Sequence, residues 1–69
     1  MKNRLDLHGV RHTEVDRIVE NFILLNEPPM RIITGNSDKM IELVIEVLDR
    51  NDVVYERFRP GQVTILRWS

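Results

Sequence analysis

The chain of 69 residues predicts an α+β fold of order βαβαββ, a two-layer sandwich in which two helices cover one face of a four-stranded mixed sheet. Three observations carry that expectation. Apolar residues alternate at the start of the chain, recur twice at helical spacing in its middle, and fill two β-rich runs on either side of a Pro-Gly turn near its end.

Each element has its own signal. Over residues 4–8, Leu5 and Leu7 alternate with Arg4, Asp6 and His8, which predicts a half-buried strand ended by Gly9. Thr13 followed by Asp16 resembles a capping box, and Val15, Ile18, Val19, Phe22 and Ile23 then recur at helical spacing, predicting a helix over 14–25. Pro28 and Pro29 stop it. "MRIIT" over 30–34 is a short β-branched run closed by Gly35, and Asn36 or Ser37 can cap a second helix from about 38 to 50. In that helix Glu42, Glu46 and Asp49 form a narrow polar stripe, so wide burial is expected of the rest. "VVYERFR" and "QVTILRW" flank Pro60-Gly61 as an antiparallel hairpin. A strand, helix, strand unit of this length makes a parallel pair. The loops "HGVRH" and "TGNS" should then emerge side by side at the carboxyl ends of neighbouring strands, where open α/β sheets bind ligands and helix N-termini favour anions.

Composition bounds what such a domain does. A chain this short buries only about 60% of its unfolded surface, so residues 1–69 form one domain with little room for an enclosed active site. There is no cysteine, hence no disulfide, thiolate zinc site or cysteine nucleophile, and no signal-peptide or membrane-length apolar run. The expectation is a soluble cytoplasmic protein without membrane partners. The net charge of -1 announces no partner, but its distribution is uneven. Residues 1–12 hold Lys2, Arg4 and Arg11 against Asp6, and residues 53–69 hold Arg57, Arg59 and Arg67 against Glu56, three cations to one anion in each block. The helices are acidic: Glu14, Asp16 and Glu20 stand against Arg17 in the first, and Asp38, Glu42, Glu46 and Asp49, with Asp52 just beyond, stand against Lys39 and Arg50 in the second.

Asp6 and His8, two apart on a strand, project from one face with Cα atoms roughly 6.5 Å apart. A carboxylate beside an imidazole can orient it for general acid-base work on a phosphodiester; equally, both are ordinary polar residues of a solvent-facing strand, or Asp6 caps a local turn. Arg11 beside a helix start can grip a phosphate or stand free in solvent. His12 lies four residues after His8, but the intervening Gly9 and the missing glutamate of a His-Glu-x-x-His helix argue against a zinc pair. "TGNSDK" lacks the Gly-Lys-Ser/Thr end of a P-loop, so nucleotide hydrolysis is not expected, and Gly35 serves a turn whether or not that turn cradles an anion. Tyr55, Arg57, Arg59 and Trp68 offer either an aromatic, basic platform for single strands or, with Phe58, ordinary hairpin core.

"LDLHG" followed by Glu14 and an amphipathic helix, a strand ending "ITG", a second helix and a hairpin ending "VTILRW" together resemble the Smr domain, the small MutS-related module, over nearly the whole chain. The resemblance implies a fold like the C-terminal domain of translation initiation factor 3, and a nuclease or nucleic-acid-binding activity on DNA or RNA. It puts the functional positions of the motif on Asp6, His8, Thr34 and Gly35. Asp6 and His8 are thereby the candidate catalytic pair, and Gly9, Arg11, His12, Thr34, Gly35, Asn36 and Ser37 the candidate nucleic-acid-binding residues. No cofactor is indicated. RNA cleavage needs none with His8 as base, whereas DNA cleavage calls for a divalent metal on Asp6 with Glu14 nearby.

The chain departs from the family pattern in three places. Ser37 stands where the family has a second glycine, the loop before the second helix is short, and Pro60-Gly61 replaces a glycine-rich hairpin loop. Fewer basic loop residues mean fewer phosphate contacts, so binding is the firmer expectation and cleavage the weaker one. The alternative is a non-catalytic interaction module whose apolar second helix joins another protein or a second copy.

Overall fold

The computed structural model describes residues 3–57 and 61–69. Six elements follow in the expected order: β1 (Arg4–Asp6), α1 (His12–Leu25), β2 (Met30–Ile33), α2 (Asp38–Arg50), β3 (Val53–Arg57) and β4 (Gln62–Trp68). The four strands make one sheet in the order β1-β2-β4-β3, with β1 and β2 parallel and the other neighbours antiparallel. This is the α+β architecture that the alternating and helical patterns predict.

Strand parity decides what enters the core. Leu5 and Leu7 from β1 and its continuation, Met30 and Ile32 from β2, Val63 and Ile65 from β4, and Val53 and Tyr55 from β3 all pack in one cluster. Val15, Val19 and Ile23 of α1, and Met40, Val44, Val47 and Leu48 of α2, complete it. Both helices therefore cover the same face of the sheet. The opposite parity, Arg4, Asp6, Arg31, Ile33, Gln62, Thr64, Val54 and Glu56, lies on the open face.

The helix boundaries depart from expectation at one end only. α1 begins at His12, two residues before the predicted start, because Arg11 adopts the extended N-cap conformation, with φ -72° and ψ 144°. No side chain caps it, so Thr13 and Asp16 form no capping box. α2 spans the predicted residues. Ser37 caps it, its Oγ accepting the Met40 amide at 3.1 Å. The apolar surface of α2 is less completely buried than its narrow polar stripe suggests: Ile41 and Ile45 stay half-buried, flooring a shallow groove of about 440 Å³ that Glu42, Glu46, Asp49 and Arg57 border.

Arg50, in the last turn of α2, ties the two helices together. Its guanidinium donates to both oxygens of Asp16, at 2.9 and 3.0 Å, and to Glu20. The hydrogen bonds from Arg50 hold the Asp16 carboxyl below its usual range and raise the arginine in turn.

Of the two readings open to the hairpin aromatics, platform or core, Tyr55 takes the second. Tyr55 faces the helices and its hydroxyl donates to Asp49 at 3.0 Å; burial, then that carboxylate, raises its phenol above the ordinary tyrosine range. Trp68 pairs with Val53, beyond a register shift in which Val54 faces Arg67 while Tyr55 faces Ile65. That extra residue bends the β3–β4 ladder and breaks simple parity along β4. Phe58 and Arg59 lie outside the described residues, as does Pro60 of the predicted Pro-Gly turn.

Candidate nucleic-acid interface

The carboxyl ends of β1 and β2 are adjacent, as the parallel pair requires. Asp6 is level with Ile33, and the Leu7 amide donates to the Ile33 carbonyl at 2.9 Å. The loop after β1 and the turn after β2 therefore leave the sheet side by side. Each leads into the N-terminus of a helix.

Within the β1 loop the carboxylate of Asp6 has a backbone partner. Its Oδ1 accepts the amide of His8 at 2.9 Å, an Asx-type turn that redirects the chain out of the strand. Gly9 follows with φ +82°, a conformation natural to glycine, and the Val10 amide closes the bend on the Leu7 carbonyl at 3.0 Å. Asp6 thus acts as the local turn cap among the readings open to it. The imidazole of His8 is exposed and makes no hydrogen bond with the Asp6 carboxylate.

Arg11, His12 and Thr13 are exposed at the start of α1 and line an open depression with Gly9 and Val10. The amides of that first turn lack a side-chain cap. Glu14, the carboxylate of the first turn, is paired with Arg17. Among the described residues no three histidine or carboxylate side chains gather as a metal site.

The turn after β2 is built differently. Thr34 is buried, with 6% exposure, and its amide donates to the carbonyl of Gly61 at 2.7 Å; the Gly35 amide donates to the same carbonyl at 3.3 Å. Two amides of the turn are therefore held by the residue just before β4, which favours the turn role of Gly35 over an anion cradle. Gly35 has φ +70°, as its place in the turn requires. Asn36 is exposed beside it. Ser37 has φ -82°, so the position that is glycine in the family pattern needs no glycine here and provides the helix cap instead. Asp38 adds a negative charge to that first turn, so of the two helix starts α1, with Arg11, is the more favourable for an anion.

The cations divide along the same line. Arg17, Lys39 and Arg50, all on helices, are each paired with a helix carboxylate. Arg4, Arg11, Arg31, Arg57 and Arg67, on strands or the β1 loop, have no ion pair among the described residues. The helices neutralise their own positive charges and leave the strand and loop guanidiniums free. Two features of the site escaped the sequence reading, the Gly61 carbonyl that locks Thr34 and Gly35 and the placement of Arg31. Both depend on strand register, which no local pattern encodes.

Comparison with known proteins finds no matching family model, no matching curated protein and no matching solved structure. Among the described residues no helix is long and apolar enough to cross a membrane.

Proposed function

We propose that this chain is an Smr-like domain that binds the phosphate backbone of a nucleic acid at the edge formed by the β1–α1 loop. The observation that carries the reading is the unpaired, exposed Arg11 at the uncapped start of α1. There a guanidinium, free amides and the positive end of a helix dipole act on one spot. His8 and His12 flank it and add ring N–H donors. The same proposal places the protein in the cytoplasm, with which its lack of cysteine is compatible.

Binding is better supported than cleavage. One Asp6 oxygen is engaged by the His8 backbone amide, and the imidazole of His8 makes no hydrogen bond with the carboxylate, so no oriented acid-base pair is formed in this structure. A second reading, the non-catalytic module, draws on Leu24 and Leu25, exposed by 61% and 80% at the far end of α1. On the face of α2 where that reading first rested, Met40, Val44, Val47 and Leu48 are core, while Ile41 and Ile45 stay half-buried in the groove.

Arg11→Ala tests the proposal. In fluorescence anisotropy with a labelled oligonucleotide, the substitution should weaken binding alike for all sequences, because a phosphate contact carries no base information. It should also reduce the slope of log affinity against log salt by about 1. Unchanged affinity and slope would remove Arg11 from the interface and the proposal with it.

A further inference from the structure

The register of the parallel pair sets Arg4 directly beside Arg31 on the open face of the sheet. Adjacent strands lie about 4.8 Å apart, so the two arginines are direct cross-strand neighbours, and like charges placed opposite one another are unfavourable. Neither has an ion-pair partner among the described residues. Of the open-face carboxylates, Asp6 holds the His8 amide, and Glu56 lies at the far end of the row, beyond Thr64. Asp6, two residues from Arg4 on the same face, balances at most one of the two charges, so the pair keeps a net positive charge. A positive patch that an anion neutralises is the charge pattern of a binding surface.

We propose that the open face of the sheet is a second contact surface for nucleic acid, on which Arg4 and Arg31 together grip one backbone phosphate. The inference rests on the nucleic-acid reading above and extends it from the loop onto the sheet. Arg4 and Asp6 share the open face of β1, which runs directly into the loop that ends at Arg11, so one strand of phosphates can follow both. Arg67, level with Val54 on the same face, lies farther along the track.

The chemistry favours backbone over base. The only tyrosine is turned to the helices, so no tyrosine ring is offered to stack a base on this face, and half-buried Ile33 and Val54, like exposed Leu66 of β4, are aliphatic and offer no ring. Affinity here is electrostatic and indifferent to sequence. An acidic helix of a second copy is the competing occupant, because α2 carries Glu42, Glu46 and Asp49 on its exposed side.

The test compares wild type, Arg11→Ala and the double variant Arg4→Gln/Arg31→Gln, titrated with one labelled oligonucleotide over a range of salt. Glutamine retains part of the aliphatic stem that lies over the sheet, so the fold is expected to persist, and urea unfolding checks it. The expected result is a double variant that unfolds at equal or higher urea, binds about tenfold more weakly at low salt, and has a salt slope smaller by about 1, one phosphate fewer. Arg4→Lys/Arg31→Lys, which keeps both charges, should retain the slope, and the single variant Arg31→Gln carries the same test if the double glutamine variant fails to fold. Wild-type affinity in the double variant beside weakened binding by Arg11→Ala overturns this inference and leaves the loop reading standing. No effect from either variant overturns both. Sedimentation of wild type as a dimer that the double variant abolishes would give the face to a second copy and overturn the inference as well.

Discussion

Ile32→Ala is expected to leave a large fraction of the protein unfolded in plain buffer. Ile32 is fully buried on the central strand β2, level with Leu5 on β1 and Val63 on β4, with both helices packed in the same cluster. Removing its outer carbons leaves a cavity at the point where every layer of the fold meets. Such truncations destabilise by about 2–5 kcal/mol, against a total of roughly 3–5 kcal/mol for a domain of this size. Urea unfolding followed through the single tryptophan, Trp68, and by far-ultraviolet circular dichroism measures the difference. Leu25→Ala is the control, since a side chain 80% exposed should shift stability by no more than about 0.5 kcal/mol. Equal effects of the two substitutions would contradict the layer arrangement.

Gly61→Ala should be nearly as damaging, for a different reason. Gly61 has φ +100°, a backbone conformation that an L side chain adopts only with strain of about 1–3 kcal/mol. Space is not the obstacle, because the added carbon would meet the Gly35 backbone at 3.4 Å, an ordinary contact distance. Relief of the strain requires the peptide to rotate, and the Gly61 carbonyl accepts the amides of both Thr34 and Gly35. The substitution should therefore lower the unfolding midpoint and also loosen the turn after β2. Amide hydrogen exchange at Thr34 and Gly35 is the specific readout: faster exchange there than across α1 is expected. Uniform acceleration would mean only general destabilisation.

The parts of this structure legible in the sequence are those that local periodicity encodes. Leu5 and Leu7 alternating with Arg4, Asp6 and His8 identified the strand and its buried face, although β1 ends at Asp6 and His8 lies in the turn beyond it, and the run from Asp38 to Arg50 identified α2 with its ends. What local pattern missed was set by partners distant in the chain. Tyr55 looked available as a stacking surface until the β3–β4 register turned it toward Asp49. Thr13 looked like a cap, but Arg11 occupies the N-cap position and α1 begins one residue ahead of the threonine. Asp6 and His8 read as ordinary polar residues or a turn on spacing and as a catalytic pair on the family resemblance, and the 2.9 Å hydrogen bond from the His8 amide shows that Asp6 caps the turn, whatever else its carboxylate does. The juxtaposition of Arg4 with Arg31 required knowing that β1 and β2 pair in parallel with that register.

The central claim is that nucleic acid meets the protein where its unpaired cations lie and avoids the helices whose charges are already matched. Chemical-shift mapping of an oligonucleotide titration on the isotopically labelled protein tests it most directly. The account predicts dose-dependent shifts of backbone amides from Asp6 to Thr13, and at Thr34 to Ser37 beside them, all diminishing as salt rises. Shifts confined to the outward faces of α1 and α2, around Glu42, Glu46 and Asp49, or no shifts at low salt, would contradict it.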